Sequence, residues 1–145
     1  MKLIPIRLNE DTTKGIFAAK EVQELFEIYR DYYPKVGFNV PWIGYFIVRK
    51  NQIVGCCGYV EKPKNGKVEI AYGTFKEFEN QGIASFGCKK LILIAQKTDP
   101  TITIFAKTAP ENNASTKILG RNGFKFTGIV QDHEIGDAWE WTLDF

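Results

Sequence analysis

The chain reads as an α+β protein built on one mostly antiparallel, twisted sheet of about seven strands. Three observations predict this. Three strand-like runs follow one another over residues 42–49, 53–60 and 68–75. A helical pattern stands before them, and two more follow, separated by a β-branched run. The last twenty-odd residues then turn back as a hairpin, so the order is β-α-β-β-β-α-β-α-β-β with one parallel junction near its middle.

Each element has a local reason. Residues 2–8 form a strand, and Pro5 within it predicts an edge position or a strand end, because proline donates no ladder hydrogen bond. Phe17, Val22, Leu25, Phe26 and Tyr29 recur near helical spacing, so 16–32 holds one or two helices. Pro34, Gly37 and Pro41 mark the loop after it. Lys50-Asn51-Gln52 turns the first pair of strands, and Asn65-Gly66 turns the second, since Asn-Gly favours positive φ. The helix at 82–96 carries Ile83, Phe86, Leu91 and Ile94 on one broad face. Gly87 inside it costs about 1 kcal/mol relative to alanine, so a packing reason is expected. Residues 101–106 are β-branched and apolar, hence a strand. A short helix spans 110–122 with Gly123 as its C′ residue. Strands at 124–130 and 138–143 close the chain around a turn at 132–137.

Composition narrows the classes. The 145 residues are 44% hydrophobic and 25% charged, with a net charge of +2. One domain over 1–145 is expected, with core enough to fold. So small a net charge, with lysines spread out, argues against a nucleic-acid partner or a membrane surface. The longest apolar run, 91–95, is far below a membrane span. Lys2 and Arg7 sit in a strand-like pattern, which argues against a signal peptide. The cysteines Cys56, Cys57 and Cys88 make neither a disulfide framework nor a zinc spacing. They read as small core residues in a reducing, cytoplasmic setting, and no metal is expected.

The chemistry concentrates in two segments. Phe78-Glu79-Asn80-Gln81-Gly82-Ile83-Ala84-Ser85 ends a strand and opens a helix. Small residues at Gly82 and Ala84 admit a close ligand, and the helix start offers unpaired N–H groups and the positive end of its dipole. Such a turn suits a pyrophosphate, although a glycine at a helix start is also an ordinary turn. Asn112-Asn113-Ala114-Ser115 follows some thirty residues later, then a helix and Gly123-Phe124.

This pair of segments, in this order, resembles the GNAT superfamily of acetyl-CoA-dependent N-acetyltransferases. There the phosphate loop reads roughly Arg/Gln-x-x-Gly-x-Gly/Ala; this chain matches at Gly82 and Ala84 and departs at Glu79. The second motif, Asn-x-x-Ser, a helix and Gly-Phe, matches at Asn112, Ser115, Gly123 and Phe124. Glu69-Ile70-Ala71-Tyr72 and Trp139-Glu140-Trp141 resemble strands of the branch that acetylates ribosomal-protein N-termini. The resemblance covers about residues 40–145. It implies a GNAT-like fold with helices on both faces of the sheet, acetyl-CoA as co-substrate, and an amine acceptor, either a protein N-terminus or a small molecule. It also implies a possible homodimer, since family members are often dimers through the late strands.

The resemblance assigns roles that the chemistry requires. Gln81, Gly82, Ile83, Ala84 and Ser85 hold the cofactor's phosphates, mostly through backbone N–H groups. Asn112 reaches the amide-rich pantetheine arm. A backbone N–H within 70–74 polarises the thioester carbonyl. Glu69 is the candidate general base, since an ammonium must lose its proton before it attacks; otherwise it is a solvated strand carboxylate opposite a lysine. Ser115 is the candidate donor to the leaving sulfur, with Tyr72 as the fallback acid, because 116–122 lacks the tyrosine many relatives carry. Asn112 or Asn113 also suits a helix cap. Tyr32, Tyr33, Phe38 and Trp42 are candidates for the acceptor or for the core. His133, the single histidine, lacks a nucleophile elbow for hydrolase chemistry, and Asp132-His133-Glu134 is too contiguous to converge on a metal. The rival expectation is a non-catalytic acyl-CoA-binding or protein-interaction module on the same fold, favoured by Glu79 and the missing tyrosine.

Overall fold

The structure, a computed structural model, describes residues 1–8 and 12–143. Its strands are β1 (Lys2–Pro5), β2 (Gly44–Arg49), β3 (Gln52–Tyr59), β4 (Lys67–Thr74), β5 (Thr103–Thr108), β6 (Lys125–Asp132) and β7 (Gly136–Leu143). Its helices are α1 (Lys20–Val36), α2 (Ile83–Thr98) and α3 (Ala114–Arg121), with 3₁₀ turns at Gly15–Phe17 and Lys76–Phe78. The strands form one sheet in the order β1-β2-β3-β4-β5-β7-β6. Every neighbouring pair is antiparallel except β4 with β5. The expected α+β architecture is therefore the observed one.

Turn chemistry sets the hairpins. Lys50 and Asn51 have φ of 50° and 60°, and Asn65 and Gly66 have 51° and 76°. Two successive positive φ values make the tight turn whose twist matches paired strands. A bulge follows the first turn: Ile47 faces Gly55 while Val48 faces Ile53, leaving Val54 as the extra residue. β1 is an edge strand ending at Pro5, as proline requires.

Helices cover both faces of the sheet. Val22 and Phe26 of α1 pack with Phe46, Val48 and Ile53 on one face. Ile83, Leu91 and Ala95 of α2 and Leu119 of α3 join Val54, Cys57, Ile70 and Ile104 in the larger core. Burying a side chain such as Phe26 stabilises the fold by about 1.5–3 kcal/mol. Gly87 shows its packing reason, since a Cβ there would stand 3.0 Å from Ile47 Cδ1 and 3.1 Å from Cys57 Cβ.

Several boundaries differ from expectation, the first being β1, which ends at Pro5 and not at residue 8. Helix α1 runs through Pro34 to Val36. The bond that proline deletes falls in the last turn, where Tyr33 is anchored by donating 2.8 Å to the Ile6 carbonyl. Helix α3 starts at Ala114, because Asn113 takes the N-cap role: its Oδ1 accepts from Thr116 N–H at 3.1 Å and Thr116 Oγ1 accepts from Asn113 N–H at 3.0 Å. The helix ends as expected. Gly123 has φ of 88°, its N–H donates to Gly120 C=O, and Phe124 N–H donates to Leu119 C=O, a Schellman closure. Finally, β7 lies between β5 and β6, and the hairpin strands reach further, to Asp132 and from Gly136.

Candidate active site

The site begins where β4 and β5 part. Lys67, Val68 and Glu69 pair with Thr103, Ile104 and Phe105. Beyond Glu69, β4 is laddered only to β3 and β5 only to β7. The parity of the backbone tells which groups are left open. Glu69 C=O accepts from Val60 N–H at 2.9 Å, so odd-numbered groups of β4 face β3. Gly66 C=O accepts from Thr103 N–H at 2.9 Å, so even-numbered groups face β5. Past the split, the peptide groups of Tyr72 and Thr74 therefore line an open cleft, with Ile70 at its fork. A strand edge without a partner is a template for another extended amide chain.

From β4 the chain passes through the turn at Lys76–Phe78 to the N-terminus of α2. Gly82 is the N-cap, with φ 79° and ψ 11°, and Asn80 has φ 63°. These left-handed residues turn the chain so that α2 starts abruptly, with its first N–H groups lacking intrahelical acceptors. A Cβ at Gly82 would meet nothing within 4 Å. Gln81 and Gly82 are exposed, Ala84 and Ser85 are half-buried, and Ile83 is buried, its side chain in the core. Glu79 is exposed on the same loop.

Across the cleft stands the start of α3. Tyr72 Oη donates to the Ser115 carbonyl at 3.2 Å, so two of the expected catalytic residues meet. Burial pushes the Tyr72 hydroxyl well up, with Cys88 adding to it, and the group stays protonated at neutral pH. Asn112 is exposed just before α3 and is not the cap.

Glu69 sits at the fork. Lys107 Nζ is 3.7 Å from its Oε1 and 3.9 Å from Asp132 Oδ2. Burial raises the Glu69 carboxyl above its ordinary value; Lys107 pulls it down, and Asp132 and Glu140 push it up again. Asp132 is held low, first by the Glu134 N–H and also by the Ile135 N–H, which donate to its Oδ1 at 2.8 and 3.3 Å. A carboxylate shifted toward neutrality is a better proton acceptor for an ammonium than an ordinary one.

On the other face of the sheet, a cavity of about 340 Å³ opens between α1 and β3–β4, lined by Tyr29, Tyr32, Cys56, Ala71 and Gly73 among others. Glu69, Ala71 and Gly73 share this face of β4, by the two-residue period of a strand. Of the four aromatics expected to contact an acceptor, the structure brings only Tyr32 to the cavity. Tyr33 is buried against Ile6 and Gly44, Phe38 packs on Tyr33 at 5.2 Å, and Trp42 packs on Tyr59 at 5.0 Å. His133 is exposed, 3.9 Å from Glu134. Lys107 and Asp132 carry no motif of their own. An alternating strand with one cation on its solvent face, Thr103–Thr108, was the available signal for Lys107.

Comparison with known proteins agrees with this geometry. The pattern of the acetyltransferase (GNAT) domain matches residues 2–125. The chain belongs to that family. Over 85 residues it is 32% identical to the uncharacterized N-acetyltransferase p20 of Bacillus licheniformis, a match covering 58% of this chain. That match spans about half, 48%, of the relative's own length. Over 132 residues it is 26% identical to the uncharacterized N-acetyltransferase YjdG of Bacillus subtilis (strain 168), covering 89% of this chain and 76% of that protein. Among solved structures, RimL, a ribosomal L7/L12 alpha-N-protein acetyltransferase in complex with coenzyme A, superposes with a TM-score of 0.67 at 19% identity, over 86% of this chain and 72% of that one. The fold is thus the GNAT fold. Among the described residues, no helix is long and apolar enough to cross a membrane.

Proposed function

We propose that this GNAT-family domain transfers acetyl from acetyl-CoA to a primary amine by direct attack within a ternary complex. One observation carries the reading: β4, its edge unpaired beyond Glu69, leads through the turn at Lys76–Phe78 into the loop that opens α2, which offers an amide-bearing arm and a pyrophosphate successive sites. Acetyl-CoA supplies an activated acyl group with a thiolate leaving group.

The chain's own residues do the rest. First-turn N–H groups of 83–85, with Gln81 and Gly82, hold phosphate. Asn112, free of capping duty, reaches the arm. The N–H of Ile70 or Tyr72 polarises the thioester carbonyl, a contribution of about 3 kcal/mol for a preorganised donor. Glu69 takes the ammonium proton, directly or through water, and the amine then attacks. As the C–S bond breaks, Tyr72 or Ser115 gives the sulfur its proton. The acceptor is a protein N-terminus or a small amine, and the likeness to RimL, an alpha-N-protein acetyltransferase, supports the former.

Three unpaired cysteines support a cytoplasmic setting. The last strand in sheet order, β6, exposes Phe126 and Ile129 and supports a homodimer there. Thiol release from acetyl-CoA with a mixed amine panel, beside calorimetry with CoA, tests the function. Turnover supports it; CoA binding without turnover would favour the non-catalytic reading, and no binding would sink both.

A further inference from the structure

The cavity beside Glu69 is apolar for a specific reason. Two tyrosines, Tyr29 and Tyr32, line it with their rings, yet their hydroxyls are turned elsewhere. Tyr32 donates to the Val60 carbonyl, while Tyr59 and Tyr72 border the cavity through their backbone and send their side chains to the opposite face of the sheet, to the Leu91 and Ser115 carbonyls. The Tyr29 hydroxyl lies over Gly44, where a Cβ would come within 2.4 Å of it. What the cavity receives is ring surface, together with Leu25, Ile28 and Ala71, and no charged side chain lines it. Cys56, also in the lining, is pushed up to about 11 by burial and stays a neutral thiol. A wall with so few free polar atoms discriminates against polar substituents, because their hydrogen bonds to water go unreplaced.

The rim is the opposite. Glu69 projects from the same face of β4 as Ala71, two residues along, about 7 Å away. Tyr32 donates to the carbonyl of Val60, the residue before Glu61, and burial, then the charges of Glu61, Glu69 and Glu134, push its hydroxyl up. Lys107, the cation beside Glu69, already faces Glu69 and Asp132, with Glu140 opposite it in register. An ammonium is welcome at such a rim, and an acceptor's own carboxylate is repelled.

We infer that the acceptor is an amine with an apolar side chain on its α-carbon and no adjacent carboxylate, as at the N-terminal leucine or phenylalanine of a peptide. The amine meets Glu69 and the side chain fills the cavity. This deepens the proposed acetyl transfer and rests on it.

The test is a rate comparison by thiol release with leucinamide, phenylalaninamide, glycinamide, serinamide and free leucine. Leucinamide and phenylalaninamide should exceed glycinamide and serinamide in kcat/KM by about tenfold or more, the scale of a pocket reading apolar groups. Free leucine should fall at least about tenfold below leucinamide. Ile28 is 58% exposed, so Ile28→Asp should fold and should cut the leucinamide-to-glycinamide ratio below about threefold. Equal rates across the amides, or an unchanged ratio in Ile28→Asp, would overturn the inference and leave acetyl transfer standing. If no amine turns over although acetyl-CoA binds, acetyl transfer fails instead. Calorimetry with CoA present then decides the pocket: tenfold tighter leucinamide than glycinamide supports it, and equal affinity overturns it.

Discussion

Lys107 Nζ stands 3.7 Å from Glu69 Oε1, on the strand that separates from Glu69's own just beyond that residue. The ammonium holds down a carboxyl that burial and two further carboxylates push up. Removing it with Lys107→Met should raise the Glu69 pKa further and move the acid limb of the pH–rate profile to higher pH, while Lys107→Arg should keep the limb near its place. A limb that does not move in Lys107→Met would show that Glu69 is not the group titrating there.

Glu69→Gln removes the proposed base and should lower kcat by about 10²–10⁴-fold near neutral pH, with CoA affinity little changed. The loss should shrink at high pH, where the amine is already neutral. An unaltered rate near neutrality would take Glu69 out of the mechanism.

The same substitution has a stability signature. The folded Glu69 pKa lies above its ordinary 4.5, so the folded state binds more protons between the two values. That stabilisation is full below the ordinary value and is lost as pH rises through the folded one. Ionised Glu69 therefore costs stability at neutral pH, and Glu69→Gln should melt higher than wild type there. Calorimetric scans should show the advantage vanish below about pH 4.

Gly82 has φ of 79° in open space, so a larger residue there meets strain and not a clash. Gly82→Val should cost at least about 1–2 kcal/mol of stability and should abolish the rise in Tm expected of wild type with acetyl-CoA. A retained ligand shift in a folded Gly82→Val would move the phosphate site elsewhere.

Glu79 is exposed on the proposed phosphate loop, and in that proposal backbone amides carry the contact without it. Glu79→Gln should change the CoA dissociation constant by less than about twofold, under ~0.5 kcal/mol, at both low and high salt. A large gain confined to low salt would mean that the carboxylate faces the pyrophosphate.

Much of the fold was legible because its signals are local. Asn65-Gly66 demanded two positive φ values, and the structure has them. Gly123 demanded a C′ position, and the Schellman bonds are there. The helix start at Gly82 was readable from small residues alone. Pro34 misled because its effect depends on position: the deleted hydrogen bond is cheap in a last turn pinned by Tyr33. The start of α3 misled because either of two adjacent asparagines could cap, and only the Thr116 reciprocal bond selects Asn113.

By itself, the sequence determined the elements, the turns between them and the residue types that acetyl transfer needs, since period, φ preference and side-chain chemistry act within a few residues. Tertiary structure alone decided where β4 leaves β5, which peptide groups that opens, and that Lys107 and Asp132 meet Glu69. It also decided that Tyr29 and Tyr32 turn their hydroxyls away and leave an apolar cavity. These are relations between residues tens of positions apart, set by sheet order and packing, and no local pattern encodes them.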